Sequence, residues 1–73
     1  MKLLIVDLYH PNKTSYHNPY NIAAFMLGRR LSNYLMFAVG NDGSTYQINV
    51  TTADCVALQK QVLAQLQELR TKQ

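Results

Sequence analysis

The chain has 73 residues, 48% of them hydrophobic, and carries seven Lys and Arg against four Asp and Glu, a net charge of +3. That length holds one domain (1–73) and not two, and the apolar fraction belongs to a globular chain, not a disordered one. Cys55 is the sole cysteine and His10 and His17 the sole histidines, which excludes an internal disulfide and the usual four-ligand structural zinc site.

Residues 2–9 (KLLIVDLY) are rich in Leu, Ile and Val and do not alternate over 3–6. This predicts a strand covered on both faces, hence a central one. His10-Pro11 ends it, because proline gives no N–H to a ladder and keeps the preceding residue extended. Residues 12–17 then read as an exposed bridge.

Residues 18–34 (NPYNIAAFMLGRRLSNY) predict a helix, with Asn18 as cap and Pro19 at the first helical position. Tyr20, Ala23, Ala24, Leu27, Leu31 and Tyr34 keep helical spacing. Gly28 costs about 1 kcal/mol relative to alanine inside a helix unless close packing uses it. A rival reading makes 20–27 a strand and 28–33 a turn.

Residues 34–50 predict a hairpin around Asn41-Asp42-Gly43, with Gly43 in the left-handed position of a three-residue loop. Its second arm alternates, Tyr46, Ile48 and Val50 against Thr45, Gln47 and Asn49. Its first arm, 35–39, is apolar on both faces, so either the sheet is covered twice or one face meets a partner.

Residues 51–73 predict an amphipathic helix opened by Thr51 and Asp54 as a variant capping box. Leu58, Val62, Leu66 and Leu69 make a stripe that serves as core or as a dimer seam. Gln59, Lys60, Gln61, Gln65, Gln67 and Glu68 mark the wet side, and Arg70 and Lys72 suit the negative end of the helix dipole. The fold expected is therefore α+β in the order β-α-β-β-α, a three-stranded sheet with a C-terminal amphipathic helix. A right-handed crossover would link the first two strands if they are parallel, and four strands followed by one helix is the alternative.

No catalytic or cofactor motif is present, and no cofactor or metal is expected. His10, His17 and Cys55 match no familiar metal spacing, and Cys55 falls on an apolar helix stripe where a free thiol behaves as a small hydrophobe. Tyrosine gives large contact area with a polar tip, so Tyr16, His17 and Asn18 form a candidate partner-binding surface, joined by Arg29 and Arg30 for an acidic partner. The plainer reading folds the tyrosines over the sheet edge, with Tyr9 and Tyr20 partly in the core. Ala24 and Gly28 keep a helix-turn-helix spacing. This supports an alternative DNA-binding reading, with a helix-turn-helix at 20–36, a hairpin wing at 39–46, and Arg29, Arg30, Ser32 and Asn33 at the nucleic acid.

A domain this small buries a thin core, and with disulfide and zinc set aside self-association is the expected aid. The later arm of the hairpin, short of charges, offers an edge for it. No apolar run approaches the roughly 18 residues of a membrane span, and Asp7 with no small-residue cleavage site argues against a signal peptide; the expected compartment is the cytoplasm. In size, α+β order and lack of a catalytic set the chain is similar in kind to small phage and mobile-element proteins that inhibit or redirect host machinery. The function expected is a non-enzymatic protein-binding module that occludes a partner protein.

Overall fold

A computed structural model describes residues 1–71. Its elements are β1 (Lys2–Asp7), β2 (Ser15–His17), α1 (Ile22–Met26), β3 (Tyr34–Val39), β4 (Thr45–Ile48) and α2 (Cys55–Thr71), with 3-10 turns at Pro19–Asn21 and Leu31–Asn33. The strands form one antiparallel sheet ordered β2-β1-β3-β4. The α+β class stands, and the strand count is the four of the alternative reading. The added strand, however, is Ser15–His17, inside the stretch read as an exposed bridge, whereas Ile22–Met26 is helical. β1 and β3 pair antiparallel, Leu4 opposite Phe37, so no parallel crossover exists.

The helix expected over 18–34 is cut short for a local reason. Asn18 and Pro19 do start a helical turn, and the Asn18 carboxamide accepts from Tyr20 N at 2.9 Å. After Met26 the backbone turns: Leu27 has φ −59° and ψ 122°, Gly28 has φ +76°, and Arg29 N donates to Met26 O at 3.0 Å. That is a type II turn, which wants glycine at its third position. Residues expected to continue the helix instead make one 3-10 turn and enter β3. The second helix of a helix-turn-helix over 20–36 is therefore not formed, because β-rich 34–39 pairs with β1.

The hairpin follows expectation. Val39 pairs with Thr45, Gly40 N donates to Ser44 O at 2.8 Å, and Gly43 N donates to Gly40 O at 3.1 Å, with Gly43 at φ +85°. α2 begins later than expected. Asp54 is its cap, accepting from Val56 N at 3.1 Å while its carbonyl takes the first helical bond from Leu58 N. Thr51 has no capping role. Lys72 lies outside the described residues.

Side chains alternate across a sheet, and the register puts Leu3, Ile5, Met36, Ala38 and Ile48 on one face. All five are buried there, with Ile22 and Met26 of α1 and Leu58, Val62 and Leu66 of α2. Leu69 packs against this cluster, so the α2 stripe is core. The double apolarity of β1 and β3 does not reflect two covered layers: both helices pack on the same face.

Three glutamines expected on the wet side of α2 are instead fasteners. Gln65 Oε1 accepts from Asn49 N at 2.9 Å and its Nε2 donates to Asn49 O. Gln61 Oε1 accepts from Thr51 N at 3.0 Å and its Nε2 donates to Thr51 Oγ1 at 2.8 Å. Gln59 Oε1 accepts from Ala23 N at 3.1 Å, in the first turn of α1, where Asn21 supplies no side-chain cap. Among the described residues no helix is long and apolar enough to cross a membrane.

Candidate functional site

The face of the sheet opposite the helices carries Leu4 and Val6 from β1 and Leu35, Phe37 and Val39 from β3. Cross-strand rows extend it: Tyr16 beside Leu4, Leu4 beside Phe37, Phe37 beside Gln47. No described element covers these side chains. They shield one another, which leaves Leu4, Val6, Phe37 and Val39 half-buried and Leu35 exposed. Toward the end of β1 the apolar surface continues into a hollow of about 550 Å³ bordered by Leu8, Leu31, Leu35 and Val50.

Beside this face, at the other end of β2, lies a cleft of about 430 Å³ lined by Lys2, Tyr16, His17, Asn18, Tyr20 and Arg70, together with Met1 and Pro19. The sequence-predicted Tyr16, His17 and Asn18 come together here. Tyr16 and Tyr20 are each 62% exposed. Tyr20 was expected partly in the core, as was Tyr9, which is also exposed. Tyr20 stands on the 3-10 turn that precedes α1, and the turn after Asp7 carries Tyr9 outward.

His17 is turned to the helix side of the sheet, opposite Leu3. Its ring lies 4.2 Å from that of Phe25, and Ser15 Oγ lies 2.7 Å from its Nε2. The guanidinium of Arg29 sits 4.4 Å from the Phe25 centroid and donates to Phe25 O. Phe25 thus carries a histidine and an arginine on one ring, while Tyr34 meets it edge-on at 5.7 Å. Burial, and after it the Arg29 charge, hold the His17 pKa below the ordinary 6.5. Arg29 therefore closes the C-terminal end of α1 as a structural residue.

The other predicted residues disperse. Arg30 is exposed, and its side chain makes no hydrogen bond or ion pair among the described residues. Ser32 borders the apolar hollow, and Asn33 O accepts from Leu8 N at 2.9 Å, prolonging the β1–β3 ladder. These residues do not form one surface with the Tyr16 cleft. Asp7 Oδ1 accepts from Tyr9 N at 2.9 Å, and this bond chiefly holds its carboxyl below the usual value.

Sequence reasoning missed Lys2 and Arg70 as site residues, since each is a lone cation far from the other in the chain. The open apolar face did leave a trace, in the two-sided apolarity of 35–39. Comparison of the chain with family models, curated proteins and solved structures finds no match.

Proposed function

We propose that the protein is a non-enzymatic binding module that docks another protein on the open face of its sheet and acts by occupying that partner's surface. The observation that carries this reading is the row Tyr16, Leu4 and Phe37 with Val6, Leu35 and Val39 beside it, on a face that no helix covers. Strands about 4.8 Å apart and residues about 3.3 Å apart give the sheet a face on the order of 300 Å², part of it polar at Lys2, Thr45 and Gln47. A contiguous apolar stretch on such a face, rimmed by polar residues, suits an interaction surface. Its phenylalanine and tyrosine supply the rigid aromatic anchors that dominate interface energetics.

The test is site-specific photocrosslinking in the cell the protein comes from. A benzoylphenylalanine placed at Phe37 is expected to give a discrete, saturable protein adduct. The same group at Lys60, exposed on the outer side of α2, is expected to give none. Equal adducts at both positions, or none at Phe37, would remove the open face as the docking surface. An adduct of twice the chain's own mass would identify the partner as a second copy.

A further inference from the structure

We infer that the cleft at the end of β2 binds single-stranded nucleic acid, with Tyr16 and Tyr20 stacking on bases and Lys2 and Arg70 taking the phosphates. The inference shares Tyr16 with the open-face reading, which otherwise rests on β1 and β3, while Tyr20, Lys2 and Arg70 belong to the cleft alone.

Four observations carry it. First, no carboxylate lines the cleft, and neither Lys2 nor Arg70 forms an ion pair among the described residues. Two cations facing one hollow with no carboxylate among its described lining residues suit an anion, although Arg70 also borders a second hollow with Asp42.

Second, both tyrosine rings are exposed yet stand on fixed backbone. Tyr16 is held by the β1 ladder opposite Leu4, and Tyr20 by the Asn18 cap and the buried Pro19. Exposed rings on rigid supports are what base stacking needs, because little order has to be gained on binding.

Third, part of the hydrogen bonding of the neighbours is used within the chain itself. Asn18 Oδ1 is used by Tyr20 N, and His17 Nε2 by Ser15 Oγ. Beside the Asn18 amide donors the cleft presents ring faces and cations, a set that suits a charged backbone and any base.

Fourth, the opposite end of β2 also has a hollow, lined by Lys13 and Ser15, with the Arg29 guanidinium held on Phe25 at its wall. Asp7 lines it as well, and its carboxylate is engaged by Tyr9 N and lies 3.4 Å from His10 Nδ1. Lys2 and Arg70 at one end of this edge strand and Lys13 at the other suit an extended polyanion running along it. A duplex, with its bases already stacked inside, has no use for the two rings.

The experiment is fluorescence anisotropy of a labelled oligo-dT and a labelled oligo-U with the full chain. At about 50 mM salt binding is expected in the micromolar range, and log K should fall linearly with log salt, with a slope between about −1.4 and −2.8 for two to four phosphates. Tyr16→Ala and Tyr20→Ala should each weaken binding about fivefold or more, with Tyr16→Phe restoring it. Lys2→Gln with Arg70→Gln should flatten the slope by about 1.4. Lys60→Gln, on the outer side of α2, should change little. Amide shifts on adding oligo-dT to the unmodified protein should centre on residues 2, 16–18, 20 and 70, which needs no variant to fold. Absence of binding at low salt, binding indifferent to both tyrosines, or displacement of oligo-dT by poly-glutamate as readily as by unlabelled oligo-dT would each overturn the inference.

Discussion

The side-chain amide of Gln65 closes a two-point ring on the peptide of Asn49, accepting from its N–H and donating to its C=O. One turn earlier Gln61 makes a related grip on Thr51, accepting from its N–H and donating to its hydroxyl. The spacings match: four residues of helix rise about 6 Å, and two residues of extended chain about 6.6 Å. The ladder explains why these groups are free to be gripped. Gly40 N donates to Ser44 O, so in the alternating antiparallel pattern Thr45 and Gln47, and after them Asn49 and Thr51, turn their peptide groups away from β3. Two glutamines thus occupy outward backbone groups just past β4 that an added strand would otherwise take.

Gln65→Ala should then cost about 1–2 kcal/mol, two hydrogen bonds of about 0.5–1.5 kcal/mol net each. Urea unfolding reads the loss, and amide exchange at Asn49 should accelerate while that at Met36 stays slow. Gln67→Ala, on the exposed side of α2, should stay within about 0.5 kcal/mol. Equal effects of the two substitutions would mean the grip contributes nothing.

The turn at Leu27-Gly28 predicts a backbone effect with no packing component. A Cβ on Gly28 would meet nothing within 4 Å, yet the residue sits at φ +76°. Gly28→Ala should therefore destabilise by about 1–2 kcal/mol through strain alone, and Gly28→Asn by less, since asparagine tolerates this region. Thermal melts of the pair decide it: a neutral Gly28→Ala would show that the chain relaxes toward the longer helix that residues 18–34 suggest.

That turn also shows where the sequence is legible and where it is not. The apolar spacing from Tyr20 to Tyr34 is helical along its whole length, so local pattern favoured one long helix; a single type II turn and pairing with β1 overrode it. The hairpin was legible because its loop needs a glycine at one position and has it. β2 was not, because Ser15, Tyr16 and His17 are too few for a period and only the register with Leu3, Leu4 and Ile5 makes them a strand. The Tyr16–His17–Asn18 part of the cleft could be named from composition. Lys2 and Arg70 could not, since only the fold brings the two ends of the chain together.

His17 predicts a pH dependence of stability. Its proton is taken up near the ordinary 6.5 in the unfolded chain and at lower pH in the fold, because burial against Phe25 and then the Arg29 charge disfavour the cation. Well above 6.5 the ring is neutral in both states and adds no slope. As pH falls below that value the unfolded state binds the extra proton first, so stability declines until the folded ring protonates too. Asp7 and Asp42 act in a separate window. Their carboxyls are held below the ordinary 3.8 by Tyr9 N and by the Ser44 hydroxyl respectively, so what they contribute is present above 3.8 and is lost as pH falls through their folded values. The melting temperature should drop between pH 7 and 5 in the unmodified protein and hardly at all there in His17→Gln, while both lose stability further below pH 4. An NMR titration placing the folded His17 at or above 6.5 would contradict the assignment.

The one-sided sheet is tested by two adjacent residues of β3. Met36 is 3% exposed and lies in the core; Phe37, the next residue, lies on the open face between Leu4 and Gln47. Met36→Ala leaves a cavity and should cost about 2–5 kcal/mol. Phe37→Thr loses only the cross-strand pairing with Leu4, a contribution of about 0.2–1 kcal/mol, and threonine suits a strand. The larger side chain should thus be the cheaper one to remove, the reverse of what residue size alone predicts. Chemical unfolding at two protein concentrations separates the explanations. If Phe37→Thr costs as much as Met36→Ala and the midpoint of the unmodified protein rises with concentration, a second copy covers the face in solution. If the cost is that large with no concentration dependence, the face is buried within the chain and the docking surface is lost.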